Sequence, residues 1–139
     1  MNVAQRRKKY EEFEDNDGTR RRYVRHEVGG GFVERSAAVD PSAYVGESAY
    51  VDAGAQIGAG VRVGVGAWID RDAVLHVDAD IGMAAHVGRG AVVGRGAKVG
   101  ARTKIGAGVH IWDGVRLEAD LTIPDGQTIR RAPRGRPAA

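Results

Sequence analysis

Aliphatic residues occupy every sixth position of the chain between residues 33 and 129. The column that they form comprises Val33, Val39, Val45, Val51, Ile57, Val63, Ile69, Leu75, Ile81, Val87, Val93, Val99, Ile105, Ile111, Leu117, Ile123 and Ile129. A second column lies four residues after the first and is mostly alanine between Ala37 and Ala97. An internal period of six residues indicates a solenoid, in which short repeats stack upon one another.

The period also predicts the shape of each repeat. Because side chains alternate along a strand, Ala67 and Ile69 point inward while Trp68 and Asp70 point outward. Glycine recurs at the third place after the aliphatic residue, where the chain must turn a corner. Three such hexads make one coil of 18 residues, and successive coils stack as parallel strands about 4.8 Å apart. The chain is therefore predicted to be all-β, a single-stranded parallel β-helix of about five coils.

The hexads IGAGVR, VGVGAW and VGRGAV resemble the hexapeptide repeat of left-handed parallel β-helices. The resemblance covers residues 33–129. It implies that the β-helix is left-handed, in contrast to the right-handed crossover that is usual between parallel strands. It also implies a homotrimer, since members of the family are usually trimeric. Many members are acyltransferases, while others are similar to carbonic anhydrase or are purely structural.

Residues 1–31 lack the period and are predicted to form a hairpin cap followed by a glycine-rich connector. Asn16-Asp17-Gly18 is a type I′ turn signal between two polar strands. Across this pair the acids Glu11, Glu12 and Glu14 would face Arg20, Arg21 and Arg22. The β-helix then spans residues 32–129, and residues 130–139 form a basic, flexible tail.

The entry into the repeat resembles that of a subgroup of hexapeptide proteins similar to YdcK, which occur in bacteria and their phages. The matching residues are Lys9-Tyr10 and Gly30-Gly31-Phe32-Val33-Glu34, although the Asn-Leu-Ser that usually follows is absent. That subgroup is described as acyltransferases by analogy of fold. The resemblance therefore leaves a phage or prophage association open.

The charge and composition of the chain limit the classes of partner that it is expected to bind. Between residues 32 and 128 there are nine lysines and arginines against twelve acids, a net charge of −3. A nucleic-acid-binding body would carry a basic stripe, so no nucleic acid is expected. The sequence has no cysteine, no apolar run of membrane-spanning length and no signal peptide. These features favour a cytoplasmic protein, or one in a phage particle, without membrane contact.

The 18-residue coil sorts outward residues into faces. The first face carries Phe32, Tyr50, Trp68, His86, Lys104 and Thr122 in one column, beside Glu34, Asp52, Asp70, Gly88, Gly106 and Pro124. Stacked aromatics beside stacked acids suggest a binding surface for a protein or glycan, made of Phe32, Tyr50, Trp68, His86, Glu34, Asp52 and Asp70. The alternative is that the ladder only stabilises the coils.

The second face carries Ala38, Gln56, Val74, Val92, His110 and Thr128, beside Asp40, Gly58, His76, Gly94, Trp112 and Arg130. Its middle is flat, apolar and almost uncharged, which is typical of a contact with a partner. We expect the trimer interface here, built on Val74, Val92, His76, His110 and Trp112.

Catalytic signals are sparse. The resemblance implies that a hexapeptide acyltransferase uses a histidine as general base in a cleft between subunits, with an acceptor pocket built by loops that interrupt the repeat. This repeat has no interruption, which argues against an enzyme. If the chain is an acyltransferase, His76 or His110 would be the base and acetyl-CoA the acyl donor. The basic tail with Arg130, Arg131, Arg134 and Arg136 would then hold the CoA phosphates.

A metal site is not expected. Carbonic anhydrase-like members bind zinc through three shared histidines, whereas His76, His86 and His110 fall in three different columns. The sequence therefore favours a rigid homotrimeric structural or binding module without a catalytic residue or cofactor. The alternative is an acyl-CoA-dependent acyltransferase whose active site lies between subunits.

Overall fold

The computed structural model describes the backbone of residues 10–14 and 20–131 and the side chains of residues 22–131. All regular elements in these ranges are strands. They are β1 (Tyr10–Glu14), β2 (Arg20–Arg25), β3 (Phe32–Glu34), β4 (Ala38–Val39), β5 (Tyr44–Val45), β6 (Tyr50–Val51), β7 (Gln56–Ile57), β8 (Arg62–Val63), β9 (Trp68–Ile69), β10 (Val74–Leu75), β11 (Asp80–Ile81), β12 (His86–Val87), β13 (Val92–Val93), β14 (Lys98–Val99), β15 (Lys104–Ile105), β16 (His110–Ile111), β17 (Arg116–Leu117), β18 (Thr122–Ile123) and β19 (Thr128–Ile129). None of the described residues lies in a helix long and apolar enough to cross a bilayer.

The strands stack into three parallel sheets, as the six-residue period predicts. The first sheet runs β3-β6-β9-β12-β15-β18, the second β4-β7-β10-β13-β16-β19 and the third β5-β8-β11-β14-β17. Residues 18 positions apart are partners, so Tyr50 lies beside Trp68 and Trp68 beside His86. The predicted β-helix of about five coils is thus confirmed.

The core is the inside of the prism. The aliphatic column and the alanine column both point inward, and residues such as Ile69, Ile81 and Ala67 are fully buried. Each coil therefore contacts mainly the coils above and below it. Thr103 is the one polar residue in the buried alanine column. Its hydroxyl donates to the Glu118 carbonyl and accepts from the Leu121 amide, which removes the cost of burying it.

The predicted N-terminal hairpin is present. Strands β1 and β2 are antiparallel, and their register places Glu12 opposite Arg22 and Glu14 opposite Arg20, as expected. Glu11 instead lies opposite Tyr23, and Arg21 lies opposite Phe13. The type I′ turn expected at Asn16-Asp17-Gly18 lies outside the described residues, as do residues 132–139 of the tail.

The hairpin and its connector close the first coil from below. Strand β2 pairs antiparallel with β3 at the edge of the first sheet. The Gly31 amide donates to the Val45 carbonyl, and the Val45 amide donates to the Val28 carbonyl. Gly29 has a φ of +103°, and a Cβ there would lie 2.2 Å from the Val45 carbonyl oxygen. Only glycine can make this close approach, which explains the glycine-rich connector.

Candidate active site

The outward column of the first face is stacked in pairs. The rings of Phe32 and Tyr50 have centroids 5.2 Å apart and planes at 19°. The indole of Trp68 and the imidazole of His86 lie closer, with centroids 4.0 Å apart and planes at 7°. Because the parallel register fixes the backbone beneath each ring, these contacts follow from the 18-residue coil.

The lower end of this face is covered, which corrects the expectation that all seven of its residues form an exposed binding surface. Phe32 and Glu34 are each only 6% exposed. Strand β2 lies beside them in the same sheet, and its side chains cover them. Tyr23 packs edge-on against Tyr50, and the Arg25 guanidinium lies 4.4 Å from the Phe32 ring centroid. The Glu34 carboxylate accepts hydrogen bonds from the amide and hydroxyl of Ser36. Both residues are therefore structural.

Asp52 joins the covered part of the face to its exposed part. One carboxylate oxygen accepts a hydrogen bond of 2.6 Å from the Tyr23 hydroxyl. The other accepts a hydrogen bond of 2.6 Å from Nε1 of Trp68. Asp52 thereby links the N-terminal hairpin to the indole on which His86 stacks. Hydrogen bonds to an ionised acceptor are shorter and stronger than neutral ones.

His86 has a carboxylate partner of its own. Its Nε2 lies 3.1 Å from Oδ2 of Asp70, and the two side chains are 31% and 17% exposed. An ionised carboxylate only accepts, so the Nε2–H donates and the neutral ring keeps its lone pair on Nδ1. A histidine oriented by a carboxylate in this way can take a proton from a substrate group.

A cleft of about 360 Å³ lies beside this pair. It is lined by Asp70, His86, Gly88, Arg89, Lys104, Ile105, Gly106, Ala107, Thr122, Ile123, Pro124 and Asp125. Gly88 and Gly106 lie at the corner that borders the cleft, where successive coils pack so closely that a Cβ on Gly88 would meet backbone atoms at 2.6 Å. Arg89 and Lys104 form no ion pair with any residue that the structure describes. The cleft thus combines two available cations with an oriented imidazole.

The two histidines favoured by the sequence lie elsewhere. His76 and His110 are exposed on the second face, and neither imidazole makes a hydrogen bond to the described part of the chain. His76 lines a second, shallower groove of about 650 Å³ with Val74, Gln56, Gly58 and other residues of the lower coils. The second-face column contains Val74 and Val92, both half-buried.

The upper end of the second face involves the start of the basic tail. Trp112 is 44% exposed, and the guanidinium of Arg130 lies 5.0 Å from its ring centroid. Arg134 and Arg136 belong to the tail residues that lie outside the described ranges. Among residues 22–131, no group of three or more His, Asp or Glu side chains is placed to hold a metal ion.

No protein-family model matches the chain, and a search of curated proteins finds no match. Solved structures do match. A histidine-to-alanine variant of GDP-perosamine N-acetyltransferase from Caulobacter crescentus, in complex with CoA and GDP-perosamine, has 32% identity and a TM-score of 0.72. The match covers 76% of this chain and 50% of that chain. PerB from the same organism, with the same two ligands, gives the same values.

A further match is the acetyltransferase domain of PglB from Neisseria gonorrhoeae, at 29% identity over 70% of this chain and 53% of that one. Its TM-score is 0.31, too low to carry an argument. The chain spans half the length of the perosamine N-acetyltransferase that it matches.

These similarities correct the functional expectation. The sequence favoured a rigid structural or binding module because the repeat has no inserted loop. That preference was wrong, since chains sharing this fold at 32% identity are acetyltransferases crystallised with CoA. The absence of an inserted loop does not exclude a pocket, because a cleft of about 360 Å³ lies beside His86 in the uninterrupted repeat.

Proposed function

Taking the chain as a hexapeptide-repeat β-helix protein, we propose that it is an acyl-CoA-dependent acyltransferase using acetyl-CoA. The similarity to perosamine N-acetyltransferase carries this proposal, at 32% identity over 76% of the chain with a TM-score of 0.72. That relative is described with CoA and an amino-sugar nucleotide, so an amine is the acceptor group that we expect here.

His86 is the proposed general base. Nδ1 of its neutral ring takes a proton from the acceptor amine while the nitrogen attacks the thioester carbonyl of acetyl-CoA. The new C–N bond forms a tetrahedral intermediate, whose collapse breaks the C–S bond. The imidazolium returns its proton to the leaving thiolate, giving CoA thiol and the N-acetylated product. Asp70 at 3.1 Å stabilises the positive charge that His86 carries between the two steps.

Arg89 and Lys104 are the proposed contacts for the anionic part of a substrate. Both line the cleft beside His86, and β12 and β15 place Lys104 directly above His86 in the register. Phosphate groups of CoA or of a nucleotide-bearing acceptor would bind such cations. This arrangement replaces the basic tail as the main candidate for phosphate binding, because Arg130 already lies over Trp112.

Self-association is part of the proposal. We propose a homotrimer formed through the second face, with Val74, Val92, His76, His110 and Trp112 at the contact. The half-buried valines of β10 and β13 support this choice, since they lie at the centre of an almost uncharged surface. In a closed ring of three subunits, each contact joins one patch of a subunit to a different patch of the next subunit. His76 and His110 are the alternative bases should the partner subunit complete a site there.

Calorimetric titration with acetyl-CoA tests the proposal. We expect saturable binding with a Kd between about 1 μM and 1 mM, the usual range for enzyme substrates. The double variant Arg89→Ala/Lys104→Ala should weaken binding at least about tenfold through the loss of two charged contacts. The matched control is Lys98→Ala/Arg116→Ala, which removes two cations from the third sheet. No saturable binding to the wild type would refute the function, and equal weakening by the control would refute the cleft.

A further inference from the structure

We infer that Asp52 is a positioning residue for His86 and that it acts through Trp68. The indole is held at its Nε1 by the Asp52 carboxylate, at 2.6 Å. On its face it carries the imidazole of His86, at 4.0 Å and 7°. The effect on turnover rests on the proposed function, whereas the effect on ring orientation does not.

Trp68 needs such a restraint because it is 43% exposed. A half-exposed side chain on the outside of a sheet has several staggered rotamers available, and contact with solvent does not strongly favour any one of them. Confining it costs rotamer entropy. A short hydrogen bond to a carboxylate that is itself fixed selects one rotamer, and the indole then offers a defined flat surface.

The imidazole is restrained from two directions as a result. Trp68 contacts its face, and Asp70 accepts from its Nε2. The stack limits tilting of the ring, while the hydrogen bond limits rotation within the ring plane. Together they keep Nδ1, which has no hydrogen-bond partner among the described residues, pointing in one direction. A base must keep its reacting atom aligned within a fraction of an ångström, so loss of either restraint lowers the productive fraction.

The same carboxylate connects the site to the N-terminal hairpin. Tyr23, on β2, is 8% exposed and donates its hydroxyl proton to Asp52 at 2.6 Å. With both oxygens of Asp52 engaged by donors, the carboxylate has one orientation. The hairpin therefore acts on His86 through Tyr23, Asp52 and Trp68 in turn, although none of its described residues lines the cleft of Asp70 and Arg89.

Fluorescence is measured on the full chain carrying Trp112→Phe, which leaves Trp68 as the sole tryptophan. The NMR and kinetic measurements keep Trp112, because it belongs to the proposed subunit contact. Two readouts are independent of activity: fluorescence of Trp68, and nitrogen-15 NMR of the His86 ring, which reports its tautomer. Asp52→Ala should shift the emission to the red, raise acrylamide quenching and give His86 a mixture of tautomers. With acetyl-CoA and an active acceptor, kcat should fall about tenfold while KM for acetyl-CoA changes less than about twofold.

Tyr23→Phe is the milder variant, since it keeps the ring against Tyr50 and removes only the hydroxyl. It should shift both spectroscopic readouts in the same direction by a smaller amount. Asp80→Asn is the control for loss of an outward carboxylate, because Asp80 lies on the third sheet. Unchanged fluorescence and tautomer in a folded Asp52→Ala protein would overturn the inference. A changed tautomer with unchanged kcat would overturn the positioning role, and an inactive wild type would count against the proposed function alone.

Discussion

The imidazole of His86 lies flat on the indole of Trp68, with ring centroids 4.0 Å apart and planes within 7°. The pair forms the exposed upper part of a column whose lower part, Phe32 on Tyr50, is covered by the hairpin. This column of the β-helix therefore has a lower end that the hairpin covers and an upper, open end that is exposed to solvent. The open end adjoins the cleft, which His86 lines.

Replacing a ring by alanine should lower the stability of the fold more at the covered end of this column than at its exposed end. Phe32 is 6% exposed and Trp68 is 43% exposed, so Phe32→Ala leaves a cavity whereas Trp68→Ala mostly uncovers a surface. We expect Phe32→Ala to cost about 3–5 kcal/mol and Trp68→Ala about 1–2 kcal/mol. Thermal unfolding monitored by circular dichroism measures both. A larger loss of stability for Trp68→Ala would show that the exposed rings are the main support of the coils.

The glycine at the corner beside the cleft should be irreplaceable. A Cβ on Gly88 would lie 2.6 Å from the Ile105 carbonyl oxygen, so Gly88→Ala must push successive coils apart and should cost about 1–3 kcal/mol. Gly90 is the matched control: its φ is +67°, but a Cβ there meets nothing within 4 Å. Asp72 holds the same corner position one coil below with a φ of 60°. Gly90→Ala should therefore cost only about 1 kcal/mol, and equal losses would contradict this account.

One ion pair should make stability depend on pH. Arg102 donates two hydrogen bonds to Asp120, at 2.7 and 3.0 Å, and these lower the pKa of Asp120 below its ordinary value of 3.8. The ionised carboxylate therefore stabilises the fold above about pH 4, and the contribution disappears as pH falls through the lowered pKa. Both side chains are more than half exposed, so solvent keeps the effect small.

The measurement compares the melting temperatures of the wild type and Asp120→Asn. The difference should be present at pH 7, shrink in 1 M salt and diminish as the pH falls below the ordinary pKa of 3.8 and through the lowered pKa of Asp120. A difference that persists at low pH would mean that Asp120 stabilises the corner by its shape and not by its charge.

The interface proposal predicts a variant that folds but does not assemble. Val92 is half-buried and pairs with Val74 and His110 in the second sheet. Val92→Arg would bury an unpaired charge at the contact, so light scattering should show a smaller particle with unchanged β-sheet circular dichroism. Val65→Arg is the control, because Val65 is 46% exposed at a corner away from that face. An unchanged assembly for Val92→Arg would reject the second face.

Most of the fold could be predicted from the sequence because a six-residue period determines strand, corner and register together. The neighbours of Trp68, namely Tyr50 and His86, follow from counting 18 residues in each direction. The burial of Phe32 could not be predicted in this way. It depends on β2 pairing with β3, and the hairpin lies outside the period.

The candidate site could be predicted only in part. His86 and Asp70 fall in adjacent columns of the predicted grid, but their hydrogen bond depends on rotamers that the period does not determine. The face on which a histidine lies favours His76 and His110 as bases. A carboxylate one coil below and one column across from a histidine is the sequence signal that instead indicates the pair of His86 and Asp70.

The direct test of the central claim is release of CoA thiol from acetyl-CoA in the presence of a panel of amino-sugar and other amine acceptors. The account predicts acceptor-dependent release by the wild type. Release should fall at least about a hundredfold in His86→Ala, since a general base contributes that much or more. It should be retained in His76→Ala and His110→Ala. Full activity in His86→Ala, or no release with any acceptor from a folded wild type, would contradict the account.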